Sequence, residues 1–388
     1  MAELAFDIVV EILARVPVKD LLRFRCVCKS WRSLFRDERF IIKHKNHVHA
    51  PSTLFLLVVC WPRDTPRICT YEGRKLKTVL QEPELYNDRE KSLLFITRVT
   101  GHCDGLFCLL LQDKSLAVWN PVLRGLRKVG RINHQHTSSM IGFGYDHSTH
   151  DHKIVLIPLT ISYKAQVLTL ESTVSKMIDF PWRTFIGLSR VNPEGILVGE
   201  NIFWSFHPRE SATIENGEHI FGSFHTHEST TTENGENILS FSLVSETFNY
   251  CSGPGGNFFH LKLLKGSLCA VENCYGGDMV VWCAEHEKED NGRIKSWSTI
   301  LRLTASDVER STRLHVGSFW LGAVINQAGL LLVKVRTRKS EIKLCEYNLE
   351  EKTMRTVETS LRTSLDYLEN MEEYVATLVP TRPHLLSI

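Results

Sequence analysis

The chain has 388 residues, 43% of them hydrophobic and 23% charged, the composition of a globular protein with room for two or three domains and a large core. A net charge of +2 without a basic stripe argues against a nucleic-acid surface. Eleven cysteines, an odd number scattered through apolar strings such as Leu106-Phe107-Cys108-Leu109, argue against a disulfide framework and for reduced thiols in a core.

The first fifty residues carry more apolar side chains than so small a unit buries. Leu4, Ile8 and Ile12 recur every four residues, which places them on one face of a first helix with Leu13 beside them. Pro17 is expected to end that helix, because its ring biases the preceding residue away from helical angles. Asp20 stands where an N-cap belongs, so a second helix is expected from there through Leu21, Leu22 and Phe24. Val27, Trp31, Leu34 and Phe35 continue the helical spacing, with Arg23, Arg25, Lys29, Arg32 and Arg36 between them. Three helices of this size are near the lower limit for an independent core, so another domain or another protein is expected to cover part of the stripe. Residues 1–50 hold ten Lys and Arg against six Asp and Glu, a charge of +4 that leaves −2 for the rest, and this balance suits an acidic protein partner.

Past Pro51 the period changes to short apolar strings separated by Gly, Asn, Asp and Pro turns. One phrase of strand, polar turn and strand recurs at 116–129, 166–178, 238–250, 279–300 and 342–357, each preceded by another strand pair. Five units of about four strands at this spacing predict propeller blades. A sixth, less regular unit is assembled from 54–61 and 67–80, and a strand over 374–379 is expected to join it and close the ring. A helix is expected only in the tail, near 361–371.

Residues 199–216, GENIFWSFHPRESATIEN, are followed directly by GEHIFGSFHTHESTTTEN at 217–234, an eighteen-residue direct repeat. An even-numbered insertion preserves in/out alternation along a strand, so the extra copy reads either as a solvated insertion or as a loop that shapes partner choice.

Catalytic constellations are thin. His44, His47 and His49 alternate with Lys43, Lys45 and Asn46 in an expected linker, without a fourth ligand or a supporting shell for a metal. The run Asp146-His147-Ser148-Thr149-His150-Asp151-His152 falls in a polar turn and is read as solvated. Gly142-x-Gly144 and Gly253-Pro254-Gly255-Gly256 lack the rest of any phosphate loop, and no Gly-x-Ser-x-Gly elbow occurs. Cys26-Val27-Cys28 lies within the helical unit and is read as packing. No metal or cofactor is expected.

The N-terminal segment resembles an F-box of the plant type through Leu4, Asp7, Ile8, Glu11, Ile12, Leu13, Arg15, Pro17, Lys19, Leu21, Arg23, Phe24, Val27, Lys29 and Trp31. It departs from the pattern at Ala5, Val16 and Asp20. The remainder resembles the kelch-like, type 1 F-box-associated domain through Gly101-His-Cys-Asp-Gly-Leu-Phe-Cys-Leu, Trp119-Asn120-Pro121, Gly142-Phe143-Gly144-Tyr145-Asp146 and Leu264-Lys265-Gly266-x-Leu268-Cys269. The resemblance implies an α+β multidomain chain: an F-box at 1–45, a linker at 46–53, and an all-β propeller-like domain of about six units at 54–388. It further implies a non-catalytic substrate-recognition subunit of an SCF-type ubiquitin ligase, docked on a SKP-type linker and through it on a cullin and a RING subunit. Linker docking would fall to Leu4, Ile8, Ile12, Val16, Pro17, Leu21, Leu22, Val27 and Trp31, some of which also hold the helices together. Substrate capture would use propeller loops, with Trp182, Arg183, His207, His225, His227 and Tyr275 as candidates. A lectin-like scaffold and a propeller enzyme remain as alternatives. No leader-like segment opens the chain, no apolar run approaches a membrane span and no Asn-x-Ser/Thr site occurs, so the cytoplasm, the nucleus or both are expected.

Overall fold

The computed structural model describes residues 5–47, 54–60, 67–72, 75–81, 86–87, 92–93, 96–123, 125–132, 139–159, 164–171, 175–180, 188–208, 236–255, 259–273, 278–287, 292–325, 329–359, 368–374 and 379. Among these, the N-terminal unit has four helices where three were expected: α1 (Phe6–Leu13), α2 (Val18–Phe24), α3 (Lys29–Leu34) and α4 (Glu38–His47).

The first helix stops at Leu13, before Pro17 is reached. Pro17 instead leads into α2 as its N-cap, its ring-restricted φ of −55° fitting the approach to a helical turn. Asp20 makes no cap. It sits in the first turn, beside the positive end of the helix and 3.1 Å from the Arg23 guanidinium. The helical spacing that continues to Phe35 is interrupted at 25–28, where Cys28 is extended and its sulfur accepts from the Trp31 N–H at 3.5 Å. Cys26 and Cys28 are exposed and are not packing residues. The break folds Trp31 back onto Phe24, with ring centroids 5.7 Å apart, and starts a run of rings through Phe35, Phe40 and His44. A straight helix would have spread these rings along one uncovered stripe. Bent, they close a core with Leu13, Ala14, Val18, Leu21 and Ile41.

The β region starts with β1 (Leu54–Cys60), β2 (Arg67–Glu72) and β3 (Lys75–Gln81), then a short hairpin of β4 (Tyr86–Asn87) and β5 (Ser92–Leu93). Five blades of consecutive antiparallel strands follow. The first blade holds β6 (Ile96–Cys103), β7 (Leu106–Leu111), β8 (Ser115–Asn120) and β9 (Gly125–Arg131). The second holds β10 (Ser139–Asp146), β11 (Asp151–Pro158), β12 (Lys164–Thr169) and β13 (Ser175–Asp179). In the third, β14 (Leu188–Val191) and β15 (Ile196–Val198) both pair with β16 (Asn201–Pro208), which continues through β17 (Glu236–Ser242) to β18 (Phe248–Ser252). The fourth runs β19 (Phe259–Leu264), β20 (Ser267–Asn273), β21 (Met279–His286) and β22 (Ile294–Leu303). After a helix, α5 (Ala305–Thr312), the fifth runs β23 (Val316–Ile325), β24 (Leu330–Thr337), β25 (Ile342–Asn348) and β26 (Thr353–Thr356).

Neighbouring blades meet in sequence around the ring: β6 touches β10, β10 touches β15 and β16, both of these touch β19, and β19 touches β23. The chain then adds β27 (Glu358–Thr359), parallel to β3, and β28 (Leu368–Tyr374), antiparallel to β1 and in contact with β23. Both ends of the β region therefore share one sheet, which removes the open edges of a linear array. Five regular blades are thus described where about six units were expected, the remaining sheet being assembled from the two ends. The described closing strand is Leu368–Tyr374, which occupies part of the expected tail helix; residues 375–378 of the expected closing strand and residues 360–367 lie outside the described set. The repeat at 217–234 also lies outside it, though β16 and β17 pair directly on either side, with Ile202 opposite Phe241.

Among the central strands, β8 and β11 are buried at every position, because each blade packs a neighbour on both faces. That packing explains Gly142 and its companion Gly195. A Cβ on Gly142 would stand 2.5 Å from Trp204 Cζ2 and 2.6 Å from Ile202 Cγ2, both rigid neighbours in the next blade. Gly142→Ala is therefore expected to cost about 1–3 kcal/mol by overpacking, read as a lower thermal midpoint.

Candidate functional site

Two regions concentrate unusual features: the outer face of the helical unit, and the cleft where α4 meets the propeller. On the outer face, Ile8 is 51% exposed, Ile12 54%, Phe6 53% and Val27 62%. The four-residue spacing of α1 puts Ile8 and Ile12 in line, while Leu13 turns inward to the core. Pro17 is exposed, and Val16, Leu22 and Trp31 are half-buried at the margin of the core. Leu21 is fully buried at 0% exposure, so its place among the docking residues is corrected to a core role. Leu4 lies outside the described residues. Phe6 was missed, being off the Leu4-Ile8-Ile12 stripe that flagged the others.

A groove beside this face is lined by Leu22, Arg25, Cys26, Cys28, Lys29 and Arg32. It carries three cationic side chains and no acid. An apolar patch next to such a groove suits a partner whose own surface is apolar and acidic.

The cleft is built differently. Helix α4 buries Phe40, Ile41 and His44 against the helical core, and that core reaches Val122, Leu123 and Val379 of the propeller. Asn120 of the Trp119-Asn120-Pro121 motif organises this contact. Its Oδ1 accepts from the Val122 and Leu123 N–H groups at 3.0 and 3.1 Å, and its Nδ2 donates to the Val379 carbonyl at 2.8 Å. His44, expected in a linker, is a buried residue of α4 whose Nε2 lies 2.8 Å from the Val16 carbonyl; burial lowers its pKa. His47 is on the same helix, and His49 lies outside the described residues.

Across the cleft, Lys45 Nζ lies 2.7 Å from Asp104 Oδ1 and 5.1 Å from the centre of the Tyr145 ring. His152 Nε2 is 3.5 Å from Asp104 Oδ2. Within the His147–His152 run, His147 and His150 are exposed as expected, but His152 is buried, which corrects its reading as a solvated residue. Burial by itself raises the Asp104 carboxyl, but the neighbouring His152 ring and the charge and hydrogen bond of Lys45 outweigh it and hold the group down to about 2. The donor atoms of Cys103, Asp104 and His152 lie within 4.8 Å of one another, the donor types of a metal site. Chemically they suit a different role, since burial holds the Cys103 thiol in its neutral form and Asp104 already faces a fixed ammonium. The arrangement is a charge-matched latch between α4 and the first two blades. Lys45→Met is expected to loosen it by about 1–2 kcal/mol, seen as faster hydrogen exchange in α4 with the blades unchanged.

Among the candidate substrate residues, His207 is half-buried near the end of β16, opposite Arg190 of β14. Trp182, Arg183, His225, His227 and Tyr275 lie outside the described residues. Among the described residues, these little-exposed carboxylates are paired with ammonium groups: Asp104 with Lys45, and Asp146 and Glu246 with Lys153.

Comparison with known proteins agrees with this division. A family model described as an F-box domain matches residues 1–43, and one described as an F-box associated beta propeller domain matches residues 69–381. An F-box/kelch-repeat protein of Arabidopsis thaliana is 26% identical over 321 residues, covering 77% of this chain and 79% of that protein. An F-box protein of the same plant is 32% identical over 151 residues, 38% of this chain and 37% of that protein. Among solved structures, TolB from Acinetobacter baumannii aligns with 83% of this chain and 66% of its own at a TM-score of 0.46 and 8% identity.

Proposed function

The chain belongs to the F-box proteins that carry an F-box associated beta propeller domain, and from that premise we propose that it is the substrate-recognition subunit of an SCF-type ubiquitin ligase. The observation that carries the reading is the outer face of α1 and the α2–α3 turn. A unit with a complete inner core leaves Phe6, Ile8, Ile12 and Val27 half or more exposed. That surface is the handle for a SKP-type linker, which connects the chain to a cullin and its RING subunit.

In this role the chain performs no bond chemistry. Holding a substrate near a ubiquitin thioester raises the effective concentration of its lysines, and a rigid connection between handle and receptor makes that gain geometrically useful. The latch of Lys45, Asp104 and His152, with Asn120 beneath it, supports such rigidity.

A pull-down with the full chain as bait and a purified SKP-type linker as prey tests the first half. Retention at micromolar or lower concentration is expected, and no retention returns the chain to the scaffold reading. Affinity capture with the cullin inactivated, so that substrate persists, tests the second half. Deleting residues 217–234 in the same experiment reports on the repeat: lost capture with unchanged linker binding assigns it to recognition.

A further inference from the structure

β20 and β21 are the central strands of the fourth blade, and their register sets Cys269 directly opposite Cys283. Both side chains point to one face. Cys269, Val271, Met279 and Val281 share a core cluster against which Cys283 packs, while Leu268, Ala270 and Ala284 belong to the cluster on the other face. Directly opposed residues of an antiparallel pair have Cβ atoms roughly 4.5–5.5 Å apart, so a small approach brings them within the roughly 3.5–4.5 Å of a disulfide. Their Cα spacing falls inside the range that a disulfide spans.

The two thiols are free and differ in access: Cys269 is buried and Cys283 is partly exposed. Burial, and then the neighbouring Cys283, push the Cys269 thiol above its ordinary value and keep it neutral. Cys283 is the more accessible residue of the pair, and Cys269 is buried beside it. That is the geometry of an attacking and a resolving cysteine.

We propose that Cys269 and Cys283 form an oxidative modification site, closed by hydrogen peroxide into a cross-strand disulfide. The Cys283 thiolate attacks one peroxide oxygen and breaks the O–O bond, leaving a sulfenic acid on Cys283 and a hydroxide that takes up the thiol's proton as water. The Cys269 sulfur then attacks the sulfenyl sulfur, and its proton leaves with the displaced hydroxyl as a second water. Two thiols are oxidised and one peroxide is reduced to two waters. The bond staples the strands on either side of the 274–278 connection and braces the cluster shared with the fifth blade.

The test uses the folded full chain treated with hydrogen peroxide, alkylated with iodoacetamide and digested without reductant for peptide mapping by mass spectrometry. The expected product is one cross-linked pair of peptides containing Cys269 and Cys283, two hydrogen masses lighter than the separate peptides and restored by a thiol reductant. Cys269→Ser is expected to leave Cys283 trapped as a sulfenic or further oxidised acid. Full alkylation of both residues after peroxide overturns the proposal. So does pairing of either with Cys345, or with the exposed Cys26 or Cys28. The wild-type map decides the matter by itself if the variant does not fold.

Discussion

Replacing Ile8 and Ile12 together by glutamate is expected to weaken retention of a SKP-type linker by on the order of 1,000-fold while the helical unit stays folded. Both side chains are more than half exposed, so the exchange costs the free protein little. At a protein interface the same positions behave as buried anchors, and each well-packed anchor is worth about 2 kcal/mol or more on truncation. Two of them amount to about 4 kcal/mol, close to three decades in Kd. A carboxylate buried without a partner adds to that loss. Leu21→Glu supplies the contrast: at 0% exposure it faces the core, and its signature is lost helicity before lost binding. Charge reversal in the groove, Arg25→Glu with Lys29→Glu, is expected to slow association about tenfold and to flatten its salt dependence. Titration calorimetry and surface plasmon resonance read the affinities and rates, and circular dichroism reads the fold.

The features legible in the sequence were those that depend on neighbours along the chain. The four-residue spacing of Ile8 and Ile12 defined the exposed face of α1, and the recurring strand phrases marked the five blades. What escaped depends on tertiary partners or on very short signals. Helix α5 is announced only by Thr304 and Asp307, whose reciprocal bonds at 3.2 and 3.1 Å form a capping box for eight residues, too short a run for periodicity to register. The closing strand, LENMEEY, lacks the regular apolar/polar alternation that marks a strand in sequence and is seen through its pairing with β1. His152 was assigned to solvent because its sequence neighbours are polar. Its environment is set instead by Asp104, 48 positions earlier, which faces Lys45 of the helical unit. The Gly-Phe-Gly-Tyr-Asp motif likewise has a distributed explanation: Gly142 admits Trp204, Tyr145 receives Lys45, and Asp146 holds Lys153.

That last contact sets the largest stability effect. Lys153→Met is expected to destabilise the second and third blades by about 3–5 kcal/mol, the usual cost of removing one partner from a buried ion pair. Lys153 is 3% exposed, and its Nζ lies 2.7 Å from Asp146 Oδ2 while donating to Glu246 Oε1 and the Leu243 carbonyl, each at 2.8 Å. The ammonium is thus satisfied by three acceptors, one on its own blade and two on the next. Methionine fills the volume of the stem but leaves Asp146, whose side chain is 0% exposed, without a counter-charge and with only its hydrogen bonds from Ser148 and Thr149. Burial raises the Asp146 and Glu246 carboxyls, yet the hydrogen bonds from Lys153, joined by Ser148 and Thr149 at Asp146 and by Lys176 at Glu246, outweigh that effect and hold both below their ordinary values. A carboxyl depressed in the folded state stabilises it above the unfolded pKa of about 4, and loses that contribution as pH falls toward the folded value. The wild type should therefore lose blade stability as pH falls below about 4, whereas Lys153→Met should already be weakened at neutral pH and show a shallower acid limb. Adding Asp146→Asn and Glu246→Gln to Lys153→Met removes the orphaned charges and should recover part of the loss, because neutral amides are cheaper to bury than lone carboxylates. Hydrogen exchange at β11 and β17 as a function of pH reads all three proteins. Equal protection in wild type and Lys153→Met at neutral pH would show that the two blades hold together by apolar packing alone.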